Sequence, residues 1–209
     1  MSEIQPLPPA TLIAGLRPDT CLGYANTLFW RGRETPAENL RAFADVVRWA
    51  GGNAGLGPEG AEAWLRWAQD HDAATRILFA EAITLREALY RMFSALAAGI
   101  PVTDADLAAL NRAMAEAPPR RQLARSDGTC AWHIEPEAFC APALLAPALW
   151  TAADLLARGN PARVRQCANP QCLWLFLDES KNGARRWCDM TSCGNRAKAR
   201  RHYLKHKKV

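Results

Sequence analysis

The stretch "CANPQCLWLFLDESKNGARRWCDMTSCGNRAKARRHYLKHKK", Cys167–Lys208, decides how the chain is read. It holds four of the seven cysteines, arranged as two pairs. Four residues separate Cys167 from Cys172, four separate Cys188 from Cys193, and fifteen lie between the pairs. Zinc takes four thiolates in a tetrahedron at about 2.3 Å, and a short turn within each pair lets two sulfurs converge on one ion. The residues between the pairs are expected to fold back as a hairpin: "LWLFLD" goes out, "ESKNG" turns and "ARRWC" returns. Asn169-Pro170 tightens the first turn. Gly194 follows the last ligand, where backbone N–H groups are expected to reach the sulfurs. Cys167, Cys172, Cys188 and Cys193 are therefore read as ligands of one structural Zn2+. Four thiolates close the coordination sphere and leave no position for a catalytic water.

Outward from the cysteines, charge is distributed unevenly. From Arg163 onward the chain carries twelve cations against three carboxylates, a balance of +9; residues 1–162 carry fourteen against eighteen, a balance of −4. Four thiolates and one divalent zinc sum to −2, which Arg185, Arg186 and Arg196 can offset. The remaining cations lie mostly beyond the ligands, in "GNRAKARRHYLKHKK", which has the composition of a helix starting at the last cysteine. On that helix Arg196, Arg200 and Tyr203 share one side, and Lys198, Arg201 and Lys205 the adjacent one. A basic helix on a metal-built platform points to a polyanionic partner. Lys and Arg neutralise phosphates with release of counterions, and Arg makes bidentate contacts to guanine edges in a major groove. Candidate nucleic-acid contacts are Arg185, Arg186, Arg196, Lys198, Arg200, Arg201 and Lys205, with double-stranded DNA as the leading partner. The alternative is an RNA- or protein-interaction module in which the finger is only a docking platform. Trp174, Phe176 and Trp187 supply apolar cover, and the whole is expected to be a treble-clef-like finger of hairpin plus helix.

The 160 or so residues before it read as mainly α with a small β component, an α+β body. Residues 1–160 form one expected domain and residues 161–209 the finger, with Gly159-Asn160-Pro161 as the boundary. The first segment is Pro-rich and extended. A short helix follows in "DTCLGYANTLFWRG". "TPAENLRAFADVVRWAG" predicts a helix with Thr35 as N-cap, Pro36 at its first position, Glu38 in the capping-box place and Gly51 as its stop. Its buried stripe is Leu40, Phe43, Val47 and Ala50. Residues 57–99 read as one or two long helices with Trp64, Leu65, Ala68, Ile77, Ile83, Leu85, Leu89, Phe93 and Leu96 facing inward. Thr103 caps another helix, a small hairpin with Cys130, Trp132 and Ile134 follows, and "CAPALLAPALWTAADLLARGNP" returns to helix.

Several function classes lose ground on this sequence. It shows no secretory signal and no unbroken apolar span, so a cytoplasmic protein with no membrane partner is expected, and its cysteines are thiols or metal ligands. There is no Gly-rich phosphate loop and no nucleophile elbow. Asp70-His71-Asp72 is the only compact acid–His cluster and reads as solvated surface, so no enzymatic activity is expected. Cys21, Cys130 and Cys140 are expected to pack in the core. Asn26, Trp30, Trp64 and Trp67 are candidates for a small-molecule pocket in the body, although aromatic residues at helical spacing more often belong to the core.

Cys193-Gly194-Asn195-Arg196 spells the signature of the CGNR zinc-finger family, and about 45 residues around it resemble that finger throughout. The body resembles the ABATE domain that precedes such fingers, through "LGYANTL" at Leu22–Leu28, "RWAGGNAGL" and "LREALYRMFSALAAG". Where the family form resembles "LDFANT", this chain has Leu22-Gly23-Tyr24-Ala25-Asn26-Thr27, without the acidic residue. The resemblance implies a stress-induced transcription regulator, with a sensing body and a DNA-binding finger.

Overall fold

The computed structural model of the chain describes residues 7–126, 128–157 and 163–206, and within 200–206 only the side chain of Tyr203. From the N-terminal side, β1 (Thr11–Ile13) leads to a short helix α1 (Thr20–Ala25), and β2 (Leu28–Phe29) pairs antiparallel with β3 (Ala37–Glu38). Four helices follow: α2 (Phe43–Asn53), α3 (Pro58–Asp70), α4 (Asp72–Ala97) and α5 (Asp104–Glu116). The hairpin β4 (Gln122–Ser126) and β5 (Thr129–Ile134) turns at Gly128, whose φ of +79° suits glycine. Next come α6 (Ala141–Leu144) and α7 (Ala146–Ala157). The last segment adds β6 (Val164–Gln166), β7 (Leu175–Leu177) and α8 (Asn195–His206). β1 joins the hairpin as a three-stranded sheet of order β1-β5-β4. The result is the mainly helical α+β body expected from the sequence. No described helix is long and apolar enough to cross a membrane.

The core forms around two helices. α7 is buried at every position from Ala146 to Ala152, as its nearly unbroken apolar run requires. α4 lays Leu78, Ala82, Leu85, Leu89, Met92 and Phe93 along the same core. Each fully buried Leu, Met or Phe contributes about 1.5–3 kcal/mol of transfer free energy. The buried polar groups of α1 find partners. Thr151 Oγ accepts from the Cys21 N–H at 3.0 Å, which serves a free donor in the first turn of α1. The Asp19 side chain makes no such cap and instead pairs with Arg17. Tyr24, fully buried, donates to the Ala82 carbonyl at 2.7 Å.

Some boundaries differ from the sequence expectation. α2 begins at Phe43 rather than after Thr35, because Ala37–Glu38 is drawn into a strand pair with Leu28–Phe29. Glu38 does not close a capping box; its carboxylate accepts from Leu40 N–H and Arg86. The acid that caps α2 is Asp45, which accepts from the N–H groups of Arg41 and Ala42. These bonds hold its pKa below the usual carboxylate value. The long helical stretch is two helices, broken at His71. Leu65 and Ile77 face outward and Leu78 takes the inner position, because α4 restarts the helical phase after the break. Cys21 is buried as expected, and burial pushes its thiol up to about 12. Cys140 is half-buried, but Cys130 is exposed: it stands opposite Arg125 near the tip of the hairpin, beyond the cover of the helices. Thr103 caps α5 as expected, accepting from Asp106 N–H.

Candidate metal centre and its seam with the body

β6 and β7 pair in the register Val164 with Leu177, Arg165 with Phe176 and Gln166 with Leu175. The Cys167 N–H continues this ladder to the Trp174 carbonyl at 2.8 Å, so the first ligand leaves the strand already oriented. The intervening turn closes through Cys172 N–H to Asn169 O at 2.8 Å. The second pair is brought alongside by Ala168 N–H to Arg186 O at 2.9 Å. A π-helical turn over Met190–Gly194 then presents Cys193. Asp189 caps that turn, accepting from Ser192 N–H and Thr191 Oγ. α8 starts two residues after Cys193.

The four sulfurs of Cys167, Cys172, Cys188 and Cys193 lie within 4.8 Å of one another. Those of Cys172 and Cys188 are 3.7 Å apart. A tetrahedron with Zn–S of about 2.3 Å has sulfur–sulfur edges of about 3.8 Å, so the donor set and its spacing fit zinc. A hydrogen bond between the Cys172 and Cys188 sulfurs draws the Cys172 pKa down to about 5; a bound zinc ion would replace that shared proton. These four residues form the zinc-binding site, with Phe176, Trp174, Trp187 and, from the body, Trp30 packed around the sulfurs.

The hairpin inside the finger is not the one expected. "ARRWC" forms no strand; the pairing uses β6, which precedes the first ligand. The cause is Asp178. Its carboxylate accepts from Ser180 N–H, Ser180 Oγ and Arg185 N–H, which closes residues 178–185 into a loop and lowers its pKa. Arg163 and Arg165 reach back to the Ser180 and Gly183 carbonyls. Nor does Gly194 N–H reach a sulfur: it donates to Asp189 O, while the side-chain amide of Asn169 approaches Cys193 Sγ at 3.5 Å.

The basic residues fall into two groups. Arg185 donates to the carbonyls of Trp187 and Cys188 and lies 4.5 Å over the Phe176 ring. Arg186 sits over Trp187, and Arg196 sits 4.6 Å over Trp30. All three are exposed, with their guanidinium groups resting on these rings. Lys198 is exposed on α8. The side chains of Arg200, Arg201 and Lys205 lie outside the described residues.

The finger is joined to the body by a continuous seam. Val164 and Leu175 belong to the same hydrophobic cluster as α1, α4 and α7. Asn26, 3% exposed, donates through Nδ2 to Leu175 O at 2.8 Å and accepts through Oδ1 from Leu175 N–H at 2.9 Å. Tyr90 donates to Leu173 O, and Gln166 donates to Tyr90 and Ser94. Gly32 N–H donates to Gln171 O, an approach so close that a Cβ there would stand 1.8 Å from Pro170 O. Arg31 stacks on Tyr90 at 3.7 Å and pairs with Glu87. Trp30, at a left-handed φ of +55°, lies under both Arg33 and Arg196.

The four pocket candidates do not converge on one cavity; Trp30 lines one beside the cysteines. Asn26 grips a strand, and Trp30 covers the metal centre. Trp64 and Trp67 pack on Phe139, and Trp67 also stacks on His71. The four are used in packing and docking: Asn26 and Trp30 at the seam with the finger, Trp64 and Trp67 together on Phe139. A cavity of 640 Å³ opens elsewhere, between body and finger, lined by Leu16, Trp132, Leu155, Leu177, Lys181 and the Arg120–Asp154 ion pair. Neither Tyr90 nor Gly32 carries a signal in the sequence that marks it as a docking residue. His71, in the acid–His cluster, has Nδ1 at 2.8 Å from the Trp67 carbonyl.

Residues 19–159 match the family model ABATE, described as "Putative stress-induced transcription regulator". Residues 163–206 match the CGNR zinc finger. No match is found among curated proteins.

Proposed function

Since the chain belongs to the ABATE family, which spans well over half of it, and carries a CGNR zinc finger, we propose that it is a transcription regulator that binds double-stranded DNA through α8 and acts by binding rather than by catalysis. One observation carries this reading. The last zinc ligand launches a helix whose sequence is dominated by Lys and Arg, in a segment of balance +9 beside a body of balance −4. Charge of that density exceeds what four thiolates need and suits a phosphate backbone. Cys167, Cys172, Cys188 and Cys193 would hold the zinc, which supplies folding free energy and no reaction chemistry. Arg185, Arg186, Arg196, Lys198, Arg200, Arg201 and Lys205 would meet phosphates or bases, the first three from positions braced on aromatic rings. The body would sense a small molecule or partner, and the 640 Å³ cavity at its border with the finger is the natural place for a signal to reach both.

The test is selection of the zinc-loaded full chain against random duplex and RNA pools across a salt series. A defined duplex motif should be enriched, and the Arg200→Ala/Arg201→Ala double variant should flatten the salt slope by about two units, near 0.9 per lost phosphate contact. Equal retention of every nucleic acid, or of none, overturns the proposal. Enrichment of RNA alone moves the function to an RNA-interaction module.

A further inference from the structure

The 640 Å³ cavity between body and finger has two kinds of wall. Leu16, Trp132 and Leu155 from the body and Leu177 from the finger pack against the main core while half-buried, so each leaves apolar surface on the cavity. The Trp132 ring is held by Arg120, whose guanidinium lies 5.9 Å from its centroid and 5.4 Å from that of Trp150. The charged part of the wall is not evenly matched. Asp154 takes both arms of Arg120, at 2.9 and 3.0 Å. Asp178 accepts from Ser180 and Arg185, and Glu179 interacts electrostatically with Arg17. Two cations of the finger are left over. Arg163 donates through Nη1 to the Asp178 and Ser180 carbonyls, which leaves the rest of its guanidinium uncommitted. Among the described residues neither Arg163 nor Lys181 forms an ion pair. Lys181 sits in a turn closed by Gly183 N–H to Ser180 O at 3.1 Å.

We propose that this cavity binds a small monocarboxylic acid with an apolar body, its carboxylate on Lys181 and Arg163 and its hydrocarbon part on Leu16, Trp132, Leu155 and Leu177. The volume falls within the range of small-molecule sites, about 300–1,000 Å³. Leucine side chains and an indole face reward apolar contact. The two leftover cations select the charge of the other end, since a carboxylate beside a guanidinium and an ammonium makes charge-assisted hydrogen bonds that a neutral group cannot match. The apolar wall is mostly of the body and the two cations are of the finger, so the acid touches both parts at once. It therefore binds the docked arrangement in preference to an opened one and stabilises it by mass action. This inference rests on the sensing role proposed for the body and names the chemistry of what is sensed.

The experiment is calorimetric titration of the zinc-loaded full chain, without nucleic acid, with three probes: 1-naphthylacetate, its neutral amide 1-naphthylacetamide, and acetate. The naphthyl acid should bind one per chain and about tenfold more tightly than the amide, and acetate should bind far more weakly than either. Lys181 is exposed, so Lys181→Ala should fold as the parent does. In that variant the preference for acid over amide should shrink by about threefold or more. Trp132→Leu should weaken acid and amide alike. Amide exchange should slow on binding in both 130–134 and 177–183. Absence of binding by the naphthyl acid, an acid–amide preference unchanged in Lys181→Ala, or protection confined to a different region overturns the proposal. The sensing role is read separately, by adding the acid to the duplex titration. An unchanged duplex affinity there removes the signal while leaving the binding site intact.

Discussion

At Asn26 a side-chain amide takes the place of a strand. Its Nδ2–H and Oδ1 match the Leu175 carbonyl and N–H as a neighbouring backbone would, so the outer edge of β7 is satisfied in the interior. Asn26→Leu removes both partners and leaves two buried backbone groups unpaired. The expected cost is about 3 kcal/mol, read as a lower Tm with zinc still bound; an unchanged Tm would refute the role. Asn26→Asp keeps the acceptor, loses the donor and should fall between. The sequence marked Asn26 as notable but not why, since a polar residue in an apolar run fits a ligand pocket as well as a clamp, and its partner lies 149 residues away. A second residue sets an acid limit. Burial opposes the charge on Glu87, but hydrogen bonds and charge from Arg31, with Arg86, outweigh it and lower its pKa from 4.5. A depressed carboxylate stabilises the fold above its unfolded pKa and loses that contribution as pH falls through the folded value. Denaturant midpoints should therefore fall with pH below about 4.5, and Glu87→Gln should be less stable than the parent at neutral pH and flatter in that window. Parallel curves for the two proteins would exclude Glu87.

Among the elements, the end of β2 and the loop from it to β3 hold more of the seam than their length suggests. Within a few residues they supply Phe29 against Trp174, Trp30 against Arg196, Arg31 against Tyr90 and Gly32 against Gln171. Gly32 has no room for a methyl group, because the obstacle is the Pro170 carbonyl rather than a side chain that could turn aside. Gly32→Ala should pry this loop from the finger and speed amide exchange in 167–175, while the three-stranded sheet stays protected; uniform exchange across the chain would argue against a local seam. Element by element, local signals read well. Thr103 caps α5, Gly128 turns a hairpin, and the cysteine spacing locates the metal centre. They failed where a distant partner claimed the residue first. Glu38 has the position of a capping acid but is taken by Arg86, and "ARRWC" has the length of a strand but loses its partner to β6. Such outcomes are set by tertiary packing, which overrides local preference.

For the whole molecule, zinc and core are linked. The finger's strands carry Val164 and Leu175 into the body's hydrophobic cluster, so the free energy of metal binding is shared with the body. Removing zinc with a chelator should lower the melting temperature of the body helices as well as unfold the finger, and the zinc-loaded chain should melt in one calorimetric transition. A helical transition that ignores both chelation and Cys172→Ser would show two uncoupled units. The matched segments, 19–159 and 163–206, adjoin almost without a gap, yet sequence gives little hint of how closely they are fitted, because Val164 and Gln166 beside that border meet partners far away in the body. The fit also limits how such a protein can be rearranged. A finger transplanted onto another body would arrive with one flank open unless its new host offered an amide, a bare backbone and an indole where Asn26, Gly32 and Trp30 stand. The two parts are interchangeable only as a matched pair.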